Sequence, residues 1–279
     1  MAIIERKWNS LAEFIDYASG PSAMQFGDRS SRRSDSSYGG GFFGTANYSE
    51  AEALAFAWKD GAERIERVRI KAAPKGQRKR QEATLREVGP GTLNMGNYLT
   101  GHPQPYVVMT DGQRIKPGRK IVRIMLNVCV SGGVSAATIE RRGAGVMALA
   151  AALEAAGRRV EISVGMGNGW KSQGDFLDYR ILVKGAAAKL NPLTVAFAVA
   201  HPSMLRRFFF SAMEREDAAT RRKFGARSGG GYGYVAELET DADVIYLGGA
   251  MMYDSAWESD AATAKWVREQ CEAQGVKFA

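Results

Sequence analysis

In Trp8-Asn-Ser-Leu-Ala-Glu-Phe-Ile-Asp-Tyr-Ala18 the apolar positions Trp8, Leu11, Ala12, Phe14, Ile15 and Ala18 fall close to helical spacing, and Ser10 is placed to cap. A short amphipathic helix is expected there. In residues 27–41, Ser, Arg and Gly dominate and nothing apolar recurs, which reads as a mobile loop or linker. Ser49-Glu-Ala-Glu52 then has the form of a capping box before Ala53-Leu-Ala-Phe-Ala-Trp58, and the helix is expected to stop at Asp60-Gly61. Val68 and Ile70 suggest a strand running into the Pro74-Lys-Gly turn.

After residue 119 the pattern becomes an alternation of strands and helices. Val122-Arg-Ile-Met-Leu-Asn-Val-Cys-Val130 is a β-branched apolar run ending in Ser131-Gly-Gly-Val-Ser135. Thr138 to Gly157 reads as one long helix closed by glycine, and Arg159-Val-Glu-Ile-Ser-Val164 as the next strand. This is a strand–helix–strand unit, whose right-handed crossover puts the Ser131–Ser135 loop at the carboxyl edge of a sheet, where ligands usually bind. Gly143 and Gly145 lie inside the long helix, each costing about 1 kcal/mol relative to alanine, so close packing of that helix on the sheet is expected there. Pro192-Leu-Thr-Val-Ala-Phe-Ala-Val199 and Ala242-Asp-Val-Ile-Tyr-Leu247 read as further strands. The boundary is expected near residues 112–119, between an N-terminal region of helices, loop and basic segment (1–118) and an α/β domain (119–279).

The order of elements and the loop after the first strand resemble a von Willebrand factor A domain. In that family the strand ends in Asp-x-Ser-x-Ser, whose side chains hold Mg²⁺. The matching residues here are Asn127-Val-Cys129-Val-Ser131, with Ser135 closing the loop, so Asp is replaced by Asn and the first Ser by Cys. The late strand, which in the family runs into Thr-Asp-Gly, here runs into Gly248-Gly249. The resemblance implies a Rossmann-like sheet covered by helices, with an N-terminal helical and basic extension. Mg²⁺ requires oxygen ligands that usually include a carboxylate, and both loops lack theirs, so the metal site is expected to be degenerate and no metal or cofactor is expected. The pattern is also similar to uncharacterised proteins of tailed bacteriophages.

Charge adds a candidate partner. The formal net charge is +8 and the isoelectric point near 9.5, which favours contact with a polyanion. The cations Arg64, Arg67, Arg69, Lys71, Lys75, Arg78, Lys79 and Arg80 face one acid, Glu66, within residues 64–80. A solvated charged loop and a phosphate-contacting patch both fit that run. Arg206 and Arg207 precede Phe208-Phe-Phe210, and Arg227, Tyr232 and Tyr234 lie in a glycine-rich stretch, a mixture of cations and rings that suits stacking on single-stranded bases. Buried aromatics beside solvated arginines would give the same pattern. Residues 237–260 hold seven acids and no Lys or Arg, an asymmetry through which protomers could meet head to tail.

Catalytic signatures are missing: no Gly-x-Ser-x-Gly, His-Glu-x-x-His or Walker motif is present, and His102 and His201 stand in no hydrolase context. Ser131–Ser135 could hold an anion at a helix terminus, but it lacks the lysine of a phosphate loop and the Gly-x-Gly-x-x-Gly spacing of a dinucleotide site, so a structural turn and helix cap is the favoured reading. Two cysteines cannot make a disulfide framework or a four-ligand zinc site. No run approaches the length of a membrane span and the first residues are charged, so a cytoplasmic protein is expected, in the host cytoplasm if phage-encoded. The expectation is a non-enzymatic protein binding nucleic acid, single strands favoured, or a nucleoprotein complex. The alternatives are an assembly factor that self-associates and an enzyme with an unfamiliar site.

Overall fold

A computed structural model of the chain describes residues 2–21, 31–34, 42–72, 83–86, 92–93, 95, 99, 106–109, 120–170, 175–223 and 236–276. The first element is a strand, β1 (Ala2–Trp8), followed by α1 (Leu11–Ser19). Trp8 therefore ends a strand instead of opening the helix, while Ser10 caps as expected, its hydroxyl accepting from the Glu13 amide at 3.1 Å. α2 (Tyr48–Leu54) is capped by Asn47, two residues before the expected Ser49. Asn47 accepts from the Glu50 amide at 2.8 Å, and Glu50 reaches back to the Ala46 amide at 2.6 Å, so Asn47-x-x-Glu50 performs the reciprocal capping.

α2 does not continue to residue 60. A turn at 55–58 intervenes, and α3 (Lys59–Ala72) begins where a stop was expected. Gly61 suits this start, because a Cβ there would lie 1.8 Å from the Trp58 ring. The strand expected at Val68 and Ile70 is instead the second half of α3. Trp58, Ala62 and Ile65 are buried at helical spacing, and that period, anchored by packing, overrides the local β-branched alternation.

β2 (Ala83–Arg86), β3 (Thr92–Leu93) and β4 (Tyr106–Met109) form a small antiparallel sheet in the order β2-β4-β3. The main sheet then builds on β5 (Ile121–Asn127), α4 (Ala136–Ala155), β6 (Arg159–Trp170) and β7 (Asp175–Lys184). α5 (Pro192–Ala200) is a helix where a strand was expected. Its apolar run has no strand/helix signature of its own, but Asn191 caps it, Pro192 occupies its first turn, and it is buried between neighbours. A π-helical stretch (Met204–Phe209) runs into α6 (Phe210–Glu214), then come α7 (Ala218–Lys223), β8 (Val244–Leu247), a 3-10 turn (Ser255–Trp257) and α8 (Asp260–Ala273).

The main sheet has the order β1-β7-β6-β5-β8. β5 is parallel to both β6 and β8, β7 is antiparallel to β6, and β1 is parallel to β7. Thus β1 and α1 to α3, drawn from the expected N-terminal region, join the same sheet and the same core. One sheet face, with Val122, Ile124, Leu126, Val160, Ile162, Val164, Leu177, Tyr179, Ile181, Ile245 and Leu247, is buried in a single cluster with the helices. The opposite face carries a small cluster of Met125, Phe176 and Leu238, to which no described helix contributes. Among the described residues the helices therefore cover one face of the sheet, and the segment Ala236–Asp241 crosses the other. Gly165 and Gly167 permit this crossing: a Cβ on Gly165 would lie 2.8 Å from Leu238, and one on Gly167 2.7 Å from the Ala236 carbonyl.

Gly143 and Gly145 mark close packing, but between helices. A Cβ at Gly143 would lie 2.3 Å from the Ala200 Cβ on α5, and one at Gly145 would lie 3.1 Å from Thr263 on α8 and from Trp257. The long helix is gripped on two sides by its helical neighbours, not pressed by these glycines onto the strands. No helix among the described residues is long and apolar enough to cross a membrane.

Candidate functional site

The chain leaves β5, crosses through α4 to β6 on one side, and later places β8 on the other side of β5. The carboxyl end of β5 is therefore a topological switch point, where open α/β sheets form a ligand crevice. Asn127, Cys129, Ser131 and Ser135 all lie here.

Asn127, Cys129 and Ser135 are engaged through their side chains, and Ser131 through its amide. Asn127 is fully buried: its Nδ2 donates to the Ala236 carbonyl at 2.8 Å and to the Tyr246 hydroxyl at 3.2 Å, and its Oδ1 accepts from the Cys129 amide at 3.0 Å. The Cys129 thiol points to the Gly167 carbonyl at 3.4 Å, and burial pushes its pKa up to about 12, so it is a protonated, inert thiol. The Ser131 amide donates to the Ala250 carbonyl at 3.0 Å. Ser135 caps α4, its hydroxyl accepting from the Thr138 amide at 3.1 Å.

Two residues that sequence reasoning passed over complete the site. Arg142, on the second turn of α4, is buried beneath the crevice; it donates to the Asn127 carbonyl at 2.9 Å, to the Leu247 carbonyl at 3.3 Å and to the Gly248 carbonyl. Its planar fork ties the ends of β5 and β8 together. Burial lowers its pKa to about 10, which leaves it a cation at neutral pH. Tyr246 donates to Glu237 at 2.6 Å and accepts from the Leu238 amide at 2.8 Å; burial, and then that bond to the carboxylate, hold its hydroxyl above its usual range. The Glu237 carboxylate lies over Gly248, where a Cβ would be 2.8 Å away. The available signal for Arg142 was a cation inside a helix otherwise made of small and apolar residues.

These residues do not fit Mg²⁺. The Asn127 amide and the Cys129 thiol are poor replacements for hard oxygen ligands, their polar atoms already have partners, and a guanidinium lies under the crevice. Among the described residues no group of three or more His, Cys, Asp or Glu side chains could hold a metal. Between the end of β5 and α5, a void of about 10 Å³ lined by Val128, Val130, Arg142 and His201 has room for about one water.

The residues expected to contact nucleic acid separate into three groups. Arg206 and Arg207, in the π-helical stretch, are 3% and 0% exposed, which corrects their placement on a polyanion-facing surface. Arg206 donates to the carbonyls of Phe42 (2.7 Å) and Val134 (3.2 Å). Arg207 donates to those of Ser31 (2.9 Å), Arg33 (3.0 Å) and Thr45 (2.7 Å). Their guanidinium groups also lie 4.4 and 4.3 Å from the Phe42 and Phe43 ring centres. The physical reason is that residues 31–34 and 42–47 belong to neither sheet nor long helix, so their carbonyls need donors, and two inward arginines supply them. Ser31, expected in a mobile loop, is buried and also bonded to Glu214 through its amide and hydroxyl, both at 2.8 Å.

On α3, Arg64 is ion-paired to Glu140 at 2.9 Å and Arg67 is exposed, while Arg69 and Lys71 continue the helix. Lys75, Arg78, Lys79, Arg80, Arg227, Tyr232 and Tyr234 lie outside the described residues. His201, by contrast, is internal: it stacks on Phe197 at 4.7 Å, meets the Trp58 ring edge-on, and accepts the Ser203 amide at Nδ1 (3.1 Å). Burial, followed by the charges of Arg64 and Arg207, lowers its pKa to about 3.

The carboxyl edge does present one exposed feature. The turn after β8 carries Met251, Met252 and Tyr253, which are 57%, 54% and 91% exposed. Met252 lies over Gly133, whose missing side chain makes room for its sulfur. No curated protein and no solved structure matches the chain. A family model matches residues 2–277, and the chain belongs to that family, whose description is "Domain of unknown function (DUF7192)".

Proposed function

We propose that this is a non-enzymatic binding protein, built on a metal-free, von Willebrand factor A-like platform, that docks a protein partner through the carboxyl edge of its sheet. The observation that carries the reading is the Met251-Met252-Tyr253 turn, three large apolar side chains held in solvent beside the switch point. Adaptable methionines and a rigid tyrosine are the residue types that anchor protein interfaces. Counting from β5, the strand order of the α/β part is 3-2-1-4, the order of a doubly wound sheet, which supports the platform reading; the antiparallel β7 and helices on one face only are departures from it. The inert Cys129 and neutral, stacked His201 support a non-catalytic role.

A photo-crosslinking residue at position 253 tests this, with one at exposed Lys265 on α8 as the control. In extract of the native host and with the purified chain, discrete crosslinked products are expected from 253 and not from 265. Their absence at 253 would sink the docking edge.

A second reading, binding of single-stranded nucleic acid, is favoured by exposed Arg67 on a helix that also carries Arg69 and Lys71, with Lys75, Arg78, Lys79 and Arg80 following in the sequence. If the last three each contact a phosphate, replacing all three with alanine should flatten the salt dependence of oligonucleotide binding by about two to three units of slope. Equal slopes for the two chains would remove this reading.

A further inference from the structure

The groups fixed around the Met251-Met252-Tyr253 turn are acidic. The Asp254 amide closes the turn on the Met251 carbonyl at 3.3 Å, and the Asp254 carboxylate accepts from the Ala256 amide at 3.2 Å, which holds its charge at the root of the exposed Tyr253. Glu237 reaches the same edge from the segment that crosses the open sheet face. Its carboxylate lies over Gly248, where β8 leads towards the turn, and accepts from the Tyr246 hydroxyl, a neutral donor that leaves the charge in place. One 3-10 turn beyond Asp254 stands Glu258, exposed to solvent as Glu237 is.

The arginines described at this edge do not present their charge to a partner. Arg141 is engaged by Asp260 at 3.5 Å and by the Trp257 carbonyl. Arg142 and Arg206 are buried, and their guanidinium groups are given over to backbone carbonyls. Burial lowers the Arg142 pKa, and Asp254 and Glu237 are among the charges that oppose the drop, so both carboxylates act on the same crevice. A buried cation held by carbonyls offers a partner no donor, whereas exposed carboxylates remain free to accept from one. The surface that a partner meets beside the apolar turn is therefore negative.

We propose that the partner of this edge is a basic amphipathic protein segment, whose apolar side chains pack on Met251, Met252 and Tyr253 while its lysines or arginines meet Glu237, Asp254 and Glu258. This rests on the docking-edge reading above and supplies the chemistry of its partner. Thioethers repack around apolar side chains of different shapes and so contribute affinity, while the carboxylates fix the sign and register of what binds. In a chain of net charge +8, a local excess of exposed acid also steers a cationic segment to this edge.

Two synthetic amphipathic peptides test this. They share their leucine positions, and one has lysine, the other glutamate, at every polar position; each is titrated against the full chain by fluorescence anisotropy. The lysine peptide is expected to bind at least about tenfold more tightly than the glutamate peptide and to lose affinity as salt is raised. A photo-crosslinking residue at 253 should capture it, and one at 265 should not. Glu237→Gln combined with Glu258→Gln removes two charges while keeping an acceptor for Tyr246. This variant should slow association and flatten the salt dependence, whereas Tyr253→Ser should shorten the lifetime of the complex and leave that dependence as it was. If the double variant melts below wild type, Glu258→Gln alone takes its place. Equal binding of the two peptides, a lysine peptide indifferent to the loss of the carboxylates, or capture at 265 as strong as at 253 would each overturn the proposal. So would a failure of both peptides to bind. In that case host proteins crosslinked at 253 through acidic or uncharged segments would keep the docking edge, and no product at 253 would remove both.

Discussion

The Arg142 guanidinium donates to the Asn127 carbonyl at 2.9 Å, and through the same fork to Leu247 and Gly248, so one side chain from α4 holds the ends of two neighbouring strands. Replacing it with methionine keeps much of the volume but leaves those carbonyls without their donor. Arg142→Met is expected to cost about 2–4 kcal/mol, read as a lower denaturant midpoint at unchanged slope. Arg142→Lys should recover only part, because a point-like ammonium cannot reproduce the fork.

Gly143 and Ala200 form the tightest helix–helix approach on α4. Alanine at 143 would gain about 1 kcal/mol of helix propensity, but its Cβ would stand 2.3 Å from the Ala200 Cβ and 2.8 Å from backbone atoms of α5. Overpacking against backbone should win, and Gly143→Ala is expected to destabilise by about 1–3 kcal/mol. At Gly145 the nearest atoms are 3.1 Å away and belong to side chains, so Gly145→Ala should be milder, with propensity offsetting the crowding. Thermal melts of the two variants should rank 143 well below 145.

His201 links stability to pH. Its pKa is near 6.5 when unfolded and about 3 in the fold, so below 6.5 the unfolded chain binds a proton that the folded one refuses. The contribution is fully present above that value and is lost as pH falls towards 3, at a slope approaching about 1.4 kcal/mol per pH unit. The difference in unfolding free energy between wild type and His201→Gln should therefore shrink as pH is lowered across this window. A constant difference would show that the ring titrates alike in both states.

Mg²⁺ should not stabilise the fold, since a ligand that binds only the native state must raise its melting temperature and the crevice supplies no carboxylate set for it. Melting curves with and without millimolar Mg²⁺ are expected to coincide. A reproducible rise that Ser131→Ala abolishes would show that the crevice holds a cation.

Much of the scaffold was determined by local sequence. The run ending at Asn127, the small-residue helix capped by Ser135 and closed at Gly157, and the strand from Arg159 were legible because period, cap and terminating glycine agree within about forty residues. That Asn127 and Gly248-Gly249 offer a cation no carboxylate was legible too, since ligand chemistry is a matter of residue type.

What only the tertiary structure decided are the features set by residues far apart in the chain. Val195 to Ala200 is uniformly apolar and lacks a period; burial beside α4 and the Asn191 cap make it a helix. Arg206 and Arg207 look like surface cations until the carbonyls of Ser31, Arg33, Phe42 and Thr45, more than 150 positions earlier, arrive to be satisfied. Arg142 meets Leu247 and Gly248 across a hundred residues for the same reason: unpaired carbonyls in a buried place must find donors, and sequence spacing does not record which donors the fold will bring.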